Sequence, residues 1–103
     1  MTQFCLYRNR GPDPARAPYL LDLQADTLSV LEGRVVAPLR PVALMPGELR
    51  ALHPRVTIDD EAYFVSMGEL AGVPGTMIGP QVADLRQRRG DFIAALDLLF
   101  TGY

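Results

Sequence analysis

Residues 19–25 read Tyr-Leu-Leu-Asp-Leu-Gln-Ala. Leu21, Leu23 and Ala25 fall on one side of an extended chain and Asp22 and Gln24 on the other, the period of two that a strand half-buried in an antiparallel sheet requires. Upstream, Phe4-Cys5-Leu6-Tyr7 is a short apolar run rich in aromatics and predicts a strand over 3–8. Gly11, Pro12, Asp13, Pro14 and Pro18 crowd the segment between the two, which predicts an exposed loop over 9–18.

Downstream, 27–33 reads as a connection and 34–39 as a second β-branched run, where Pro38 implies a strand end or a sheet edge. Residues 41–45 predict a short edge strand closed by Pro46-Gly47, and 48–53 a single helical turn before Pro54. Asp59, Asp60 and Glu61 lie between apolar runs at 56–58 and 62–67, which predicts a hairpin. Residues 69–75 read as turn, and 76–78 as a short strand ended by Gly79-Pro80.

The period then changes. Ala83, Leu85, Phe92, Ile93, Leu96, Leu99 and Phe100 recur at spacings of three and four, one face of a helix over 86–100. Gly90 weakens that helix by about 1 kcal/mol relative to alanine, which allows a start nearer Asp91. With nine prolines and nine glycines in 103 residues, short strands and turns are favoured over long helices. The expectation is one mainly β domain over 1–103, an antiparallel sheet with a terminal helix.

Charge narrows the function. The net charge is −2, and all ten basic residues are arginines scattered from Arg8 to Arg89. Nucleic-acid surfaces cluster their cations on one face, so no direct nucleic-acid binding is expected; Arg86, Arg88 and Arg89 read as a solvated face. Cys5 is the lone cysteine, which excludes an intramolecular disulfide and predicts a reducing, cytoplasmic setting. No stretch of about 18 apolar residues occurs and residues 1–10 lack a leader pattern, so neither export nor anchoring is expected.

Candidates for chemistry are few. His53 is the only histidine and Cys5 the only thiol, too few for a nitrogen and sulfur metal site. Cys5 sits in an apolar run, where a thiol behaves as a small buried hydrophobe. Gly68, Gly72, Gly75 and Gly79 match no phosphate cradle, and Asp59-Asp60-Glu61 carries no metal-loop spacing. Neither an active site, a metal nor a cofactor is expected.

The C-terminal stretch is the most informative. Leu96, Leu99 and Phe100 run straight into Thr101-Gly102-Tyr103. Two readings stand. In one, Gly102 takes the left-handed cap conformation and Tyr103 folds back on the last turn. In the other, the tip projects, because a carboxylate at the negative end of a helix dipole is repelled by some tenths of a kcal/mol, and it offers an aromatic anchor to a partner.

The order of these pieces resembles the CcdB toxins over nearly the whole chain. The resemblance rests on Gln3-Phe4 with Tyr7, on Asp22-Leu23-Gln24-Ala25-Asp26 and on Pro38-Leu39. It continues through Ile58 with Asp60-Glu61, Val73-Pro74, Ile78-Gly79, Val82-Ala83-Asp84-Leu85 and Ala95 to Gly102. It implies an SH3-like barrel shared with the MazF and Kid ribonuclease toxins: a five-stranded antiparallel sheet, a small accessory sheet and a C-terminal helix. It also implies a homodimer whose paired tails engage the A subunit of DNA gyrase and trap the enzyme on cleaved DNA, a CcdA-like antitoxin as neutraliser, and a role in plasmid maintenance or its chromosomal counterpart.

Carried across, the gyrase-binding surface falls on Thr27, Leu28, Asp97, Phe100, Thr101, Gly102 and Tyr103. Thr101 stands where the plasmid type member has a tryptophan, Asp97 where it has an asparagine, and Thr27 and Tyr103 where it has isoleucines. Two other readings follow from the same fold. One is a MazF-like ribonuclease drawing on Arg34, Arg55 or the acidic turn. The other is a non-toxic homodimer that binds only an antitoxin-like peptide.

Overall fold

The computed structural model describes residues 1–44 and 50–103. Its strands are β1 (Cys5–Asn9), β2 (Tyr19–Asp22), β3 (Gly33–Pro41), β4 (Arg55–Ile58), β5 (Glu61–Val65), β6 (Ala71–Pro74) and β7 (Ile78–Asp84), followed by the helix α1 (Arg89–Thr101). Every pairing among them is antiparallel, in the order β4-β5-β3-β2-β1-β7, with β6 also on β3. The mainly β, helix-terminated architecture expected from the sequence is the one found. The accessory strands form no separate sheet: the β4–β5 hairpin and β6 both attach to β3.

The sheet is covered on both faces. On one, Phe4, Leu6, Leu21, Leu23, Leu39, Val65 and Met67 pack beneath Phe92 and Ala95 of α1. Phe4 and Phe92 meet with ring centroids 5.5 Å apart; a side chain such as Phe92, fully withdrawn from water, contributes about 1.5–3 kcal/mol. On the other face, Cys5, Tyr7, Leu20, Val36 and Ile78 form a second cluster. That second layer corrects the half-buried reading of residues 19–25. β2 is buried along its whole length, and Asp22 and Gln24 lie inside. Burial of two polar residues demands partners, and they have them.

β3 is likewise no edge strand. It pairs with β2 on one side; on the other it pairs with β6 from Gly33 to Val36 and with β5 from Leu39 to Pro41. Pro38 occupies the break between those two neighbours. The Leu23 N–H donates to the Val35 carbonyl at 2.9 Å. This makes the 21/37 and 19/39 pairs the hydrogen-bonded ones and turns the Pro38 nitrogen away from β2. A proline is therefore tolerated mid-strand because no donor is needed there, and its carbonyl takes the Ser66 N–H at 2.9 Å.

Other boundaries move for similar reasons. The expected strand over 41–45 is the end of β3 at Pro41 and a 3-10 turn at Val42–Leu44, while Met45 lies outside the described residues. Of the expected helical turn at 48–53, Glu48 and Leu49 lie outside them, and 50–52 form a turn. Residues 71–74, expected as turn, form β6, whose glycine and proline content hides a strand held by β3 alone. The strand expected at 76–78 is instead a 3-10 turn, Gly75–Met77, and β7 runs on through Gly79 and Pro80. A proline is permitted there because β7 borders β1 with shifted register. The hairpin turn is as expected: Asp59 and Asp60 both adopt positive φ, 50° and 67°, which a two-residue primed turn requires. In the last third a 3-10 turn, Arg86–Arg88, leads into α1 at Arg89, so Gly90 falls in its first turn.

Candidate partner-binding site

Two segments carry the residues that the sequence singled out. The first follows β2. A 3-10 turn, Asp26–Leu28, is closed by the Leu28 N–H on the Ala25 carbonyl and the Ser29 N–H on the Asp26 carbonyl. From it, Leu28 is 48% exposed, Val30 89% and Leu31 54%. Turns ordinarily expose polar residues, so three open aliphatic side chains within four positions form an unusual patch. Sequence reading singled out Leu28 and missed Val30 and Leu31; the signal was the run Leu28-Ser29-Val30-Leu31 inside a nominal connection.

Beneath that turn lies a buried polar network. Asp22 is fully buried, and its Oδ2 accepts from the Arg34 guanidinium. Its Oδ1 accepts the Gln24 N–H at 3.0 Å. The Gln24 carboxamide donates to the Leu28 carbonyl at 2.8 Å and accepts the Val35 N–H at 3.1 Å. Gln3 ties the other flank, its N–H donating to Asp26 Oδ1 at 2.8 Å and its carboxamide to the Leu23 carbonyl at 3.0 Å.

The second segment is the end of α1. Phe92 and Ala95 face the core and Ile93 and Leu96 pack against it, but Phe100 is 70% exposed, contrary to its assignment to the same face. Leu98 and Leu99 are half-buried, so the last two turns are apolar nearly all round and leave part of that surface open. Gly102 takes the left-handed conformation, φ 85°, and its N–H donates to the Leu98 carbonyl at 3.0 Å. This is the cap of the first reading. Tyr103, however, is 93% exposed and does not fold back. Thr101 turns its hydroxyl inward, donating to the Asp97 carbonyl at 2.6 Å. Asp97 itself is exposed.

Thr27 and Leu28 thus stand on one segment and Asp97, Phe100, Thr101, Gly102 and Tyr103 on the other. Among the described residues, no hydrogen bond, ion pair or ring contact joins the two. A sequence model described as "CcdB protein" matches residues 3–102. The chain belongs to the CcdB family. At that level it is a toxin of a toxin–antitoxin system. Its fold is similar to that of a solved structure, Mycobacterium tuberculosis toxin MazF-mt6, with a TM-score of 0.73 and 18% identity over 93% of this chain and 95% of that one.

Several other polar groups of this CcdB-family chain are paired within the fold. Arg34, a candidate for ribonuclease chemistry, is buried against Asp22. Asp59, Asp60 and Glu61 sit on the exposed hairpin, and Arg55 accepts at its carbonyl from the Arg88 guanidinium. Arg86 is held by Asp84 at 2.6 Å and Arg88 by Asp91 at 3.0 Å, while Arg89 lies 5.7 Å over the Phe4 ring. The Arg86 guanidinium keeps the Asp84 carboxyl well below the usual range, and burial, then Asp84, pushes the Cys5 thiol up. No group of three or more His, Cys, Asp or Glu is gathered for a metal among the described residues. No helix among them is long and apolar enough to cross a membrane.

A groove of about 330 Å³ opens on the second face. Its floor is Leu20, Val36 and Val73, and Arg40 and Glu69 stand at its rim. Arg40 grips Glu69 through two hydrogen bonds of 2.6 Å, Ser66 donates to the same carboxylate at 2.6 Å, and Arg40 also donates to the Arg16 carbonyl. Hydrogen bonding from Arg40 lowers the Glu69 pKa to about 2. This clasp ties the 9–18 loop to β3.

Proposed function

We propose that this toxin acts as a homodimer in the cytoplasm, grips the A subunit of DNA gyrase through its C-terminal tips and the Leu28 turn, and is neutralised by a CcdA-like antitoxin. No bond is made or broken by its own side chains; inhibition is a matter of binding. The supporting observation is the tip itself. An exposed Phe100 on the last turn of the capped helix and a nearly fully exposed Tyr103 just beyond it place two rings in water, which is expensive unless a partner covers them. The partly open apolar surface of Leu98 and Leu99 supports a second copy or the target packing alongside. A symmetric pair would present each anchor twice.

Purified gyrase, relaxed plasmid and ATP test it. Added toxin should block supercoiling and trap cleaved DNA, and removal of Thr101, Gly102 and Tyr103 should abolish both while the chain stays folded and dimeric. Equal inhibition by intact and truncated forms rejects the assignment. One observation favours a second reading. The Thr101 hydroxyl is spent on Asp97 rather than offering a ring to a target, which fits a relative that dimerises and binds an antitoxin-like peptide without killing. Overexpression without growth arrest, together with tight peptide binding, would select it.

A further inference from the structure

We propose that Gln24 is a positioning residue for the exposed turn at Leu28–Leu31, its buried carboxamide fixing the pose in which that turn meets a partner. The proposal rests on the gyrase-binding reading and adds to it a residue that touches no partner. Gln24 is 6% exposed, so its amide faces protein on every side. It must satisfy a donor and an acceptor at once: the Val35 N–H needs an acceptor, and the Leu28 carbonyl takes the carboxamide N–H at 2.8 Å. At neutral pH only a primary amide of this length offers both. Glutamate lacks the donor, asparagine is one methylene short, and methionine offers neither.

The Leu28 carbonyl is also the acceptor for the Leu31 N–H at 3.1 Å. One carbonyl therefore couples the buried amide to the residue that closes the turn. Gln24 is itself locked from behind, through its own N–H on Asp22, whose other oxygen meets Arg34. Rigid β2 and β3 thereby brace the Leu28 carbonyl through one side chain, and Leu28, Val30 and Leu31 are held open to solvent rather than collapsing inward. An exposed apolar turn binds well only if little entropy is lost on docking, which is what such a brace supplies.

The test compares Gln24→Glu and Gln24→Met with the wild-type chain, read by amide exchange at Ser29, Val30 and Leu31 and by affinity for purified gyrase A subunit, near pH 8 and near pH 5.5. Near the upper pH the new carboxylate faces the Leu28 carbonyl with no proton. As pH falls, burial and the Asp22 carboxylate favour its neutral form, which donates again at about the same reach. Asp22 meets this residue and Arg34 meets Asp22 in every form, and Asp26 opens the neighbouring turn, so each variant is read against wild type at the same pH.

Both variants should exchange Leu31 and bind gyrase A about tenfold worse near pH 8. Near pH 5.5 Gln24→Glu should recover and Gln24→Met should not. A general loss of packing would not be rescued by a proton. Wild-type exchange in both variants overturns the proposal, and so does a loss in Gln24→Glu that persists once NMR shows its carboxyl protonated. Should Gln24→Met fail to fold, Gln24→Glu decides alone. Were wild type to leave gyrase A unbound, the proposed function would fall, and Leu31 exchange would still decide whether Gln24 sets the turn.

Discussion

The Leu28 turn and the C-terminal tip both hold apolar side chains out in water, and they are held there by opposite means. The turn rests on a buried network in which the Asp22 carboxylate, the Arg34 guanidinium and the Gln24 carboxamide link β2, β3 and the turn itself. The tip rests on a glycine cap and one inward hydroxyl, both at the surface. Buried polar groups are costly to disturb because the survivor stays out of water, whereas surface caps are worth little to the whole fold. Stability and recognition are therefore coupled at the turn and separate at the tip.

The sharpest way to break that contrast is Asp22→Ala. It strands the Arg34 guanidinium in the interior, and such a change costs about 3–5 kcal/mol. Urea unfolding should register most of that loss, and a change below about 1 kcal/mol would mean that Arg34 finds water or another partner. At the tip, Phe100→Ala should move unfolding by less than about 0.5 kcal/mol. It should weaken gyrase A binding by about 2 kcal/mol, as the loss of an aromatic anchor does. If Phe100→Ala cost more stability than affinity, the tip would be part of the core and the contrast would vanish.

Gly102→Ala probes the cap alone. A side chain at φ 85° is strained by about 1–2 kcal/mol, so the last turn should fray rather than the molecule unfold. Faster amide exchange confined to the end of α1, with reduced affinity and an unchanged unfolding midpoint, is the expected pattern.

What the sequence revealed follows the same division. Features set by local chemistry were legible: the period of α1 from Phe92 to Leu96, the two-aspartate hairpin, the breakers of the 9–18 loop and, in one of the two readings of the C-terminus, Gly102 as cap; Ala83 and Leu85, counted on the same face, lie before α1, Ala83 in β7. Features set by a second covering layer were not. Asp22 and Gln24 alternate with leucines as a solvent face would, and apart from Leu20 on their own side nothing within 19–25 announces that Tyr7 and Val36 share that face. Pro38 argued for an edge because a sequence cannot show that the neighbour changes beside it from β6 to β5. Of the site, Phe100 and Tyr103 were legible as aromatics in a terminal stretch; Val30 and Leu31 were signalled only by an apolar run inside a nominal connection, and it takes tertiary placement to show that they stay exposed.

The smallest effect sharpens the contrast on β3 itself, which carries a buried clasp at Arg34 and a solvated one at Arg40. The Glu69 carboxyl, gripped by Arg40, titrates at about 2 instead of the ordinary 4.5. A carboxyl whose pKa is lower in the folded chain stabilises it above the unfolded value, and that contribution drains away as pH falls from 4.5 through about 2. Because Glu69 is half exposed and Arg40 is not fully buried, screening limits it to between a few tenths of a kcal/mol and about 1 kcal/mol. Glu69→Gln should therefore narrow the stability difference between neutral pH and pH near 3 by that small amount, and added salt should erase most of it. A loss as large as that of Asp22→Ala would mean that burial is not what separates the two clasps, and with it the account of why the turn is rigid and the tip free would fail.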